Sequence, residues 1–540
     1  MLRCVAVLVT AVLFAGSMAR ATEPEPIRSA FDYLRREGWL RFPRHRPAPR
    51  PAPAALDAEV GDSRDFWTWD LSQMPPRDVL VPSTCRAKGD HVYVFVADDQ
   101  WGDTVDQQAV AAVLAALESS TPAGSIDPAR GILANEIEVF GPIPDALDGD
   151  PRLLVLLMEL QDYGGSQFDG YFNPYNQYPD EQTMADYGYH SNECEMITVN
   201  SAIRSPASDM TLSIFAHELE HLIHWGGDPE EVAWVDESCA EAAMVLCGYL
   251  TDIAWMEDYL ARPQEPLYES EHVHYGACLL FGSYLYQRFG AGFLSALVAD
   301  PGRGEAGFAA PLHAAGVSGG MEALLLDWAT ATAGDALGAA APRFSHPLLE
   351  LDLPALAHRI DAYPQQAVGG SLPDSGAAYV RLAAPAAGDL RLTVTSAPAG
   401  HLLWRVLLAA GGEVEVLDAT ADGLRLPFAG RPDASAILVL LAHGGPADYT
   451  LDVAVVAGDA DGGADGGTDG GVDGAADGGA DPDPAADADP PDGGQTSDDG
   501  GIAAGGSGSG CGCSGPTAPR AGCGMLACLL LAGLLLGRRR

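Results

Sequence analysis

Positive charge is scarce in this chain of 540 residues. Lysines and arginines together number 30, against 75 aspartates and glutamates, and the formal net charge is −45. A nucleic-acid partner is therefore not expected, because phosphate backbones require basic patches that the chain lacks. Strong acidity instead suits solubility outside the cell.

Cysteine is also sparse in the central part of the chain. Five cysteines occur there: Cys85, Cys194, Cys239, Cys247 and Cys278. An odd number cannot all pair within one chain, although an exported setting permits disulfides, and the pairing stays open. Cys239 and Cys247 fit buried apolar positions on one helix.

The first apolar run is short and lies at the start of the chain. Residues 1–21 contain Arg3, an apolar stretch from Val5 to Ala15 and the A-x-A pattern Ala19-Arg20-Ala21. This arrangement is typical of a secretory signal peptide, so we expect an exported protein.

The second apolar run, from Met525 to Leu536, lies in a C-terminal segment of residues 511–540. It is short for a membrane span, which takes about twenty residues, but Arg538-Arg539-Arg540 suits a cytoplasmic end. With Cys511 and Cys513 upstream, the segment resembles the MYXO-CTERM sorting tail. That resemblance implies membrane contact and display at the cell surface, and a plain membrane anchor is the alternative.

A low-complexity linker precedes this tail. Residues 458–510 are almost wholly Gly, Ala, Asp, Pro and Ser, and aspartate recurs every fourth residue from Asp461 to Asp481. We expect a disordered, self-repelling spacer, since no core can form. A calcium-binding repeat is the alternative, but the regular apolar position of such repeats is missing.

The strongest chemical signal is the run from His217 to His221, with the letters HELEH. Two histidines four residues apart share one helix face, which suits a common tetrahedral zinc ion. Glu218 between them can exchange a proton with a zinc-activated water. Apolar periodicity predicts a helix from Ser208 or Asp209 that ends at Gly226-Gly227-Asp228-Pro229. The alternative is a surface helix with two unrelated histidines.

A catalytic zinc needs a third protein ligand. A metzincin continuation would place glycine at 224 and histidine at 227, but the chain has His224 and Gly227. Glu237 is the better candidate, at or near the start of a second helix that runs to about Tyr249. Glu241, one turn further, can accept the Nδ1 proton of a ligand histidine; the alternative is a solvated helix residue. Three other carboxylates are expected to be solvated: Glu220, Glu230 and Glu231.

In these residues the chain resembles the gluzincins, zinc peptidases with a glutamate as third ligand, and within them the secreted hyicolysin-type family. Further segments that carry the resemblance, over about residues 64–335, are 91–99, 170–174, 191–197, 234–241, 275–277 and 289–290. Asp236 departs from the family, where asparagine is commoner, and we interpret it as a helix cap.

The resemblance implies that His217, His221 and Glu237 bind zinc and that Glu218 is the general base and acid. It also implies an oxyanion stabiliser downstream of the second helix. Tyr275 is favoured, because a phenol can donate a hydrogen bond without carrying charge. His272 and His274 are alternatives, as is core packing for Tyr275.

The predicted fold class is α+β. Residues 22–63 are interpreted as a leader or propeptide with a short helix at Ala30–Arg36, and whether they inhibit the enzyme is open. Residues 64–340 form the zinc metallopeptidase domain, with an upper sheet lobe and a lower helical lobe. An edge strand at the cleft is expected to pair with an extended peptide. Strands are predicted at 92–97 and 153–157, and helices at 277–289 and 321–333.

Residues 345–457 show a different pattern of short alternating runs. Strands are predicted at 378–382, 390–394, 403–407, 436–440 and 449–453, with Gly, Pro or Asp between them. This pattern predicts an all-β, sandwich-like accessory domain.

These features predict a secreted, cell-surface-anchored zinc metalloendopeptidase that acts on protein or peptide substrates. A non-catalytic surface adhesion or binding protein is the main alternative, although it would have no need of Glu218. Zinc hydrolysis of a substrate other than a peptide is a third hypothesis.

Overall fold

The computed structural model describes residues 27–46, 56–145, 147–251, 253–268, 275–420 and 423–457. The predicted signal peptide, linker and C-terminal segment lie outside these ranges, as do His272 and His274. Helices and strands both contribute substantially to the described part, which confirms the α+β class.

A seven-stranded mixed sheet occupies the first half of the chain. Its strands are β1 (Ile27–Ser29), β2 (Ser63–Asp70), β3 (Arg77–Lys88), β4 (Val92–Ala97), β5 (Leu153–Met158), β6 (Phe168–Phe172) and β7 (Met196–Asn200). Their order is β1-β6-β7-β5-β4-β3-β2. β4, β5 and β7 are parallel, whereas β6 runs antiparallel to β7. The predicted strands β4 and β5 are confirmed, and they are apolar throughout because both faces of the sheet are covered.

Eleven helices are described. They are α1 (Ala30–Arg36), α2 (Gln107–Glu118), α3 (Ile132–Val139), α4 (Asp180–Asp186), α5 (Asp209–Gly227), α6 (Ala233–Leu246), α7 (Ile253–Ala261), α8 (Tyr275–Phe289), α9 (Ala291–Val298), α10 (Ala309–Ala314) and α11 (Gly320–Leu337). Short 3₁₀ turns lie at Pro174–Gln177, Gly304–Phe308 and Pro342–Phe344. The predicted helices at α5, α8 and α11 are confirmed.

The two faces of the sheet contribute to separate cores. One face packs against helices, with Val94 and Val155 of the sheet in the same apolar cluster as Phe215 and Leu219 of α5. The other face packs against the N-terminal segment, where Phe31 of α1 shares a second cluster with aromatic residues of the sheet.

The segment interpreted as a leader folds onto this second face. The predicted helix at Ala30–Arg36 is confirmed, and β1 before it extends the sheet at the edge of β6. Phe31 and Leu34 are buried. Residues 27–46 are therefore packed as part of the folded unit rather than detached from it.

Residues 356–456 form two packed sheets. The strands are β8 (Leu356–Ile360), β9 (Gln365–Leu372), β10 (Ala377–Ala383), β11 (Asp389–Ala397), β12 (Leu402–Ala410), β13 (Glu413–Asp418), β14 (Leu424–Leu426), β15 (Ser435–Ala442) and β16 (Ala447–Val456). One sheet has the order β13-β12-β15-β10-β8 and the other β14-β11-β16-β9. The five strands predicted from the sequence are confirmed and correspond to β10, β11, β12, β15 and β16. Val380 and Leu438 of one sheet share a core with Leu390 and Leu451 of the other.

The five-stranded sheet also packs against α11 through its outer face. Tyr379 lies in the same apolar core as Trp328, and its hydroxyl donates to the Ala329 carbonyl at 2.9 Å. The buried Asp327 carboxylate next to this contact receives three arginines: Arg405 Nη1 at 2.6 Å, Arg343 Nε at 2.7 Å and Arg288 Nη1 at 2.8 Å. One carboxylate thus joins α8, α11 and β12.

Among the described residues, no helix is both long and apolar enough to cross a membrane. The five central cysteines are all buried and unbridged.

Replacing Asp327 should destabilise the protein strongly. Asp327→Ala leaves three guanidinium groups, of which that of Arg405 is buried, without their shared carboxylate, so we expect the free energy of unfolding to fall by about 3–5 kcal/mol. Glu322→Ala, at an exposed position of the same helix, is the matched control, with an expected change of about 0.5 kcal/mol or less. Urea denaturation measures both, and similar losses for the two variants would contradict a joining role for Asp327.

Candidate active site

Two consecutive helices bring the site residues together. α5 begins where the Ser208 side chain accepts a hydrogen bond from the Thr211 amide, and α6 follows it after a short connection. The connection is too short for α6 to lie elsewhere, so the two helices pack against each other. The histidines of α5 consequently face the carboxylates of α6.

His217, His221 and Glu237 converge on one point. The two histidine Nε2 atoms are 3.1 Å apart. Glu237 approaches both of them, with Oε2 3.4 Å from His217 Nε2 and Oε1 3.5 Å from His221 Nε2. Neither Glu237 oxygen has a hydrogen-bond partner among the described residues.

These separations fit a shared metal ion. Ligand atoms about 2.0–2.1 Å from a tetrahedral zinc lie about 3.3–3.4 Å from one another, and the three measured separations run from 3.1 to 3.5 Å. A buried carboxylate with two unpartnered oxygens is costly unless a cation neutralises it. The donor set of two imidazoles and one carboxylate is also one that suits zinc and leaves a position for water.

Each histidine has a carboxylate behind it. His217 Nδ1 is 3.4 Å from Glu241 Oε1, as the spacing of Glu237 and Glu241 predicts. His221 Nδ1 is 2.9 Å from Asp236 Oδ1. The hydrogen bond that Asp236 accepts favours the His221 tautomer in which Nε2 faces the metal position. Glu241 lies at ion-pair distance from His217 but does not hydrogen-bond to its Nδ1.

The interpretation of Asp236 as a helix cap is wrong. α6 begins three residues earlier, with Val232 at the capping position, so Asp236 lies inside the helix and points at His221. Its other oxygen, Oδ2, accepts a hydrogen bond from Arg35 at 3.0 Å. A histidine partner one position before the glutamate was detectable only once the helix register was known.

Glu218 faces strands β1 and β6 of the sheet. Its Oε2 accepts hydrogen bonds from the Phe172 amide at 2.8 Å and from Ser29 Oγ at 3.2 Å, whereas Oε1 has no partner among the described residues. Gly170 allows this approach, since an added Cβ would lie 3.3 Å from Glu218 Cγ and 2.9 Å from the Thr198 carbonyl. Burial raises the pKa of Glu218 to about 8.

Tyr275 is the first residue of α8, where its ring lies 6.4 Å from the ring of His217. Its hydroxyl is buried and has no hydrogen-bond partner among the described residues. Burial, followed by the charge of Glu237, raises the pKa of Tyr275 well above its usual value, so the phenol keeps its proton. A protonated hydroxyl beside the metal position is suited to donating a hydrogen bond to a developing oxyanion.

The expectation of solvated carboxylates is wrong for Glu220 and Glu231. Glu220 is buried and lies 3.1 Å from His224 Nδ1, and Cys239 completes a compact group with them. Glu231 is also buried and accepts a hydrogen bond from the Gly304 amide at 2.7 Å. Only Glu230 is partly exposed, in an ion pair with Arg303. Helix periodicity alone missed these positions because α5 and α6 are covered on nearly every side.

The site is fully enclosed. His217, Glu218 and Glu237 are 0% exposed and His221 is 1% exposed. Burial opposes a charge on His221, but Asp236 and Glu237 outweigh it and raise the pKa of His221 to about 10. Burial, followed by the charge of His221, instead lowers the pKa of His217 well below its usual value, so this imidazole is neutral, the form that binds a metal.

Comparisons with known proteins do not identify a family or a function for the chain. No family model and no curated protein match the chain. A periplasmic inhibitor of g-type lysozyme from Salmonella Typhimurium is 10% identical, over 18% of this chain and 100% of its own, with a TM-score of 0.14. The pre-peptidase C-terminal domain of a Bacillus anthracis collagenase is 14% identical, over 19% of this chain and 99% of its own, also at 0.14. A family GH115 4-O-methyl-α-glucuronidase is 12% identical, over 57% of this chain and 53% of its own, at 0.12. Likenesses this small carry no argument about function.

Metal binding should depend on Glu237 far more than on its neighbour Glu230. Glu237→Ala removes one of the three converging side chains and is expected to abolish stoichiometric zinc binding, whereas Glu230→Ala should leave zinc binding unchanged. Glu241→Ala should lower the affinity for zinc by about 10–100-fold, since it removes only the carboxylate next to His217 and no ligand. Zinc titration against a competing chelator measures all three. Equal losses in the Glu237 and Glu230 variants would show that the third ligand is misassigned.

Proposed function

We propose that the protein is a zinc metallopeptidase of gluzincin type, exported and held at the cell surface, that hydrolyses peptide bonds in proteins or peptides. In this proposal the seven-stranded sheet and the helices from α5 onward are the two lobes of the enzyme. The predicted signal peptide and C-terminal segment supply the export and the anchoring.

The observation that carries the proposal is the convergence of His217, His221 and Glu237 with Glu218 beside them. The two imidazole Nε2 atoms are 3.1 Å apart and each lies 3.4–3.5 Å from one oxygen of Glu237, which leaves room for a metal ion among the three side chains. A binding module has no need of a buried glutamate next to such a group, since that carboxylate costs free energy to bury.

A zinc ion held by His217, His221 and Glu237 would supply Lewis acidity to the attacking water and to the carbonyl under attack. Asp236 holds the His221 imidazole by accepting a hydrogen bond from Nδ1, and Glu241 lies 3.4 Å from Nδ1 of His217, so both imidazoles have Nε2 directed inward. The negative charge of these two carboxylates also makes the histidines better donors to a cation.

Glu218 moves the proton. The Phe172 amide holds Oε2, which leaves Oε1 to accept a proton from the water as it attacks. The same carboxyl group then gives that proton to the departing amine nitrogen, which completes the cleavage of the peptide bond. Tyr275 donates a hydrogen bond from its hydroxyl to the oxyanion formed by the attacked carbonyl.

Peptide hydrolysis should depend on Glu218. The enclosed site has to open before a protein substrate can enter. Casein hydrolysis by the zinc-loaded protein is therefore measured both before limited proteolysis and after it. Glu218→Gln should lower the rate by at least about 10²-fold, the usual contribution of general acid–base catalysis, while zinc content is retained. Glu230→Gln, which makes the same chemical change outside the site, should have no effect.

Two outcomes would contradict the peptidase proposal. Bound zinc without hydrolysis of casein or short peptides in any preparation would favour the surface binding protein. Glu218-dependent hydrolysis of esters but not of peptides would favour a different substrate class.

Removing the hydroxyl of Tyr275 should slow catalysis without affecting the metal. Tyr275→Phe is expected to lower kcat by about 10²-fold, as for loss of one oxyanion donor, with zinc content and KM nearly unchanged. Tyr286→Phe, at a half-buried position of the same helix, is the control. Unchanged kcat in Tyr275→Phe would leave core packing as the role of Tyr275 and favour His272 or His274.

A further inference from the structure

Residues 27–46 cover the candidate active site from the sheet side. β1 runs parallel to β6, with Ile27 opposite Phe168 and Ser29 opposite Gly170. The other side of β6 is already paired with β7, so β1 fills the edge of the sheet that would otherwise be open. This is the edge next to Glu218, because the amide of Phe172 in β6 donates to that carboxylate.

Three side chains of this segment contact residues of the candidate site or of the strand beside it. Ser29 Oγ donates to Glu218 Oε2 at 3.2 Å. The ring of Phe31 lies 5.9 Å from the ring of His221 and 5.9 Å from that of Phe172. Arg35 Nη1 donates to Asp236 Oδ2 at 3.0 Å. The segment thus touches the proton-transfer group, a candidate metal ligand and the partner of that ligand.

The charge of the segment is opposite to that of the site. Residues 27–46 contain six arginines and only two acidic residues, a net charge of +4, in a chain with 30 lysines and arginines overall. The site beneath them is built around Glu218, Asp236, Glu237 and Glu241, all of them buried. Opposite charges at such short range favour binding of the segment over this site.

The segment continues over the second face of the sheet to the end of α5. The Tyr175 hydroxyl donates to the Arg41 carbonyl at 2.9 Å, and the Phe42 ring packs 5.4 Å from that of Tyr175. Arg46 then donates to the carbonyl of Gly227 at the end of α5, at 2.6 Å. Twenty residues therefore follow one path over the site, as a bound polypeptide would.

The conformation of the segment protects it from cleavage. Ile27 to Ser29 form the strand that pairs with β6, and the chain enters α1 at Ala30. Carbonyls inside a helix are held by backbone hydrogen bonds and turned along the helix axis, away from an extended geometry. A side-chain hydroxyl, rather than a peptide bond, is presented to Glu218.

We propose that residues 27–46 are an inhibitory segment that occupies the substrate cleft in the intact chain, and that the active enzyme forms when the chain is cut between this segment and the sheet and the segment leaves. The inference rests on the proposed peptidase function. Activation requires one hydrolysis, in which water adds across a peptide bond between Arg46 and Leu56. The edge of β6 then becomes available to an extended peptide substrate.

The test uses the full chain with the recognition sequence of a site-specific protease inserted after Arg50. Zinc-loaded protein is assayed on casein before cutting, and again after cutting and gel filtration. Cutting should raise activity by about 100-fold, because it removes the millimolar effective concentration of a tethered segment. Circular dichroism of the cut protein checks that the remainder stays folded.

A point variant tests the same contact without any cut. Arg35→Ala in the intact chain removes the ion pair to Asp236 and should raise casein hydrolysis by about tenfold, because a partner with a broken charge pair dissociates faster. Arg44→Ala makes the same change at an exposed position of the segment and should have no effect. Equal activity of the intact, cut and Arg35→Ala proteins would overturn the inhibition and leave the peptidase function standing.

Binding of the segment in trans gives a readout that is independent of catalysis. A fluorescent peptide of residues 27–46 should bind the cut Glu218→Gln chain, and the Arg35→Ala peptide should bind at least about tenfold more weakly than the Arg44→Ala peptide. Absence of binding, or equal binding by both variant peptides, would overturn the inference. Specific binding together with an inactive cut enzyme would overturn the peptidase function and leave the segment as the occupant of this cleft.

Discussion

Buried negative charge between α5 and α6 is the constraint on which the arrangement of the site depends. Glu218, Asp236, Glu237 and Glu241 are all removed from solvent, and a desolvated carboxylate costs several kcal/mol unless it is paired. His217 and His221 lie among these groups, and Arg35 reaches in from the N-terminal segment. The proposed metal ion would be a further cation that neutralises this buried negative charge. It would bind at the two Glu237 oxygens, which accept no hydrogen bond among the described residues.

The same electrostatics link catalysis to its proposed control. Asp236 holds His221 through one oxygen and Arg35 through the other, so one carboxylate serves both the metal position and the covering segment. Asp327, outside the site, is a second buried carboxylate that is stabilised by cations. Three arginines surround it, and these ion pairs hold the β-sandwich against α11. Buried ion pairs therefore position the residues of the site, and they also fix the β-sandwich against α11.

Sequence reasoning succeeded where the signal is local. The helix from Asp209 to Gly227 was predicted from its apolar periodicity, its cap and its terminal glycines, and the helical spacing of Glu237 and Glu241 anticipated the contact with His217. It failed for Asp236, Glu220 and β1. Asp236 and β1 depend on partners distant in sequence. Glu220 pairs with the nearby His224 but is buried by the packing of α6 on α5, and a charged side chain is taken for solvated until such packing is known.

The sequence by itself determined the residues of the candidate metal group, because two histidines one helical turn apart share a face in any α-helix. It also predicted the change from mixed structure to alternating strands near residue 345, since side-chain periodicity differs between helix and strand; in the structure the first of these strands begins at Leu356. Only the tertiary structure decided that Asp236 faces His221 and that residues 27–46 lie over the site. Those contacts arise from the packing of α6 on α5 and of β1 on β6, which local propensity does not specify.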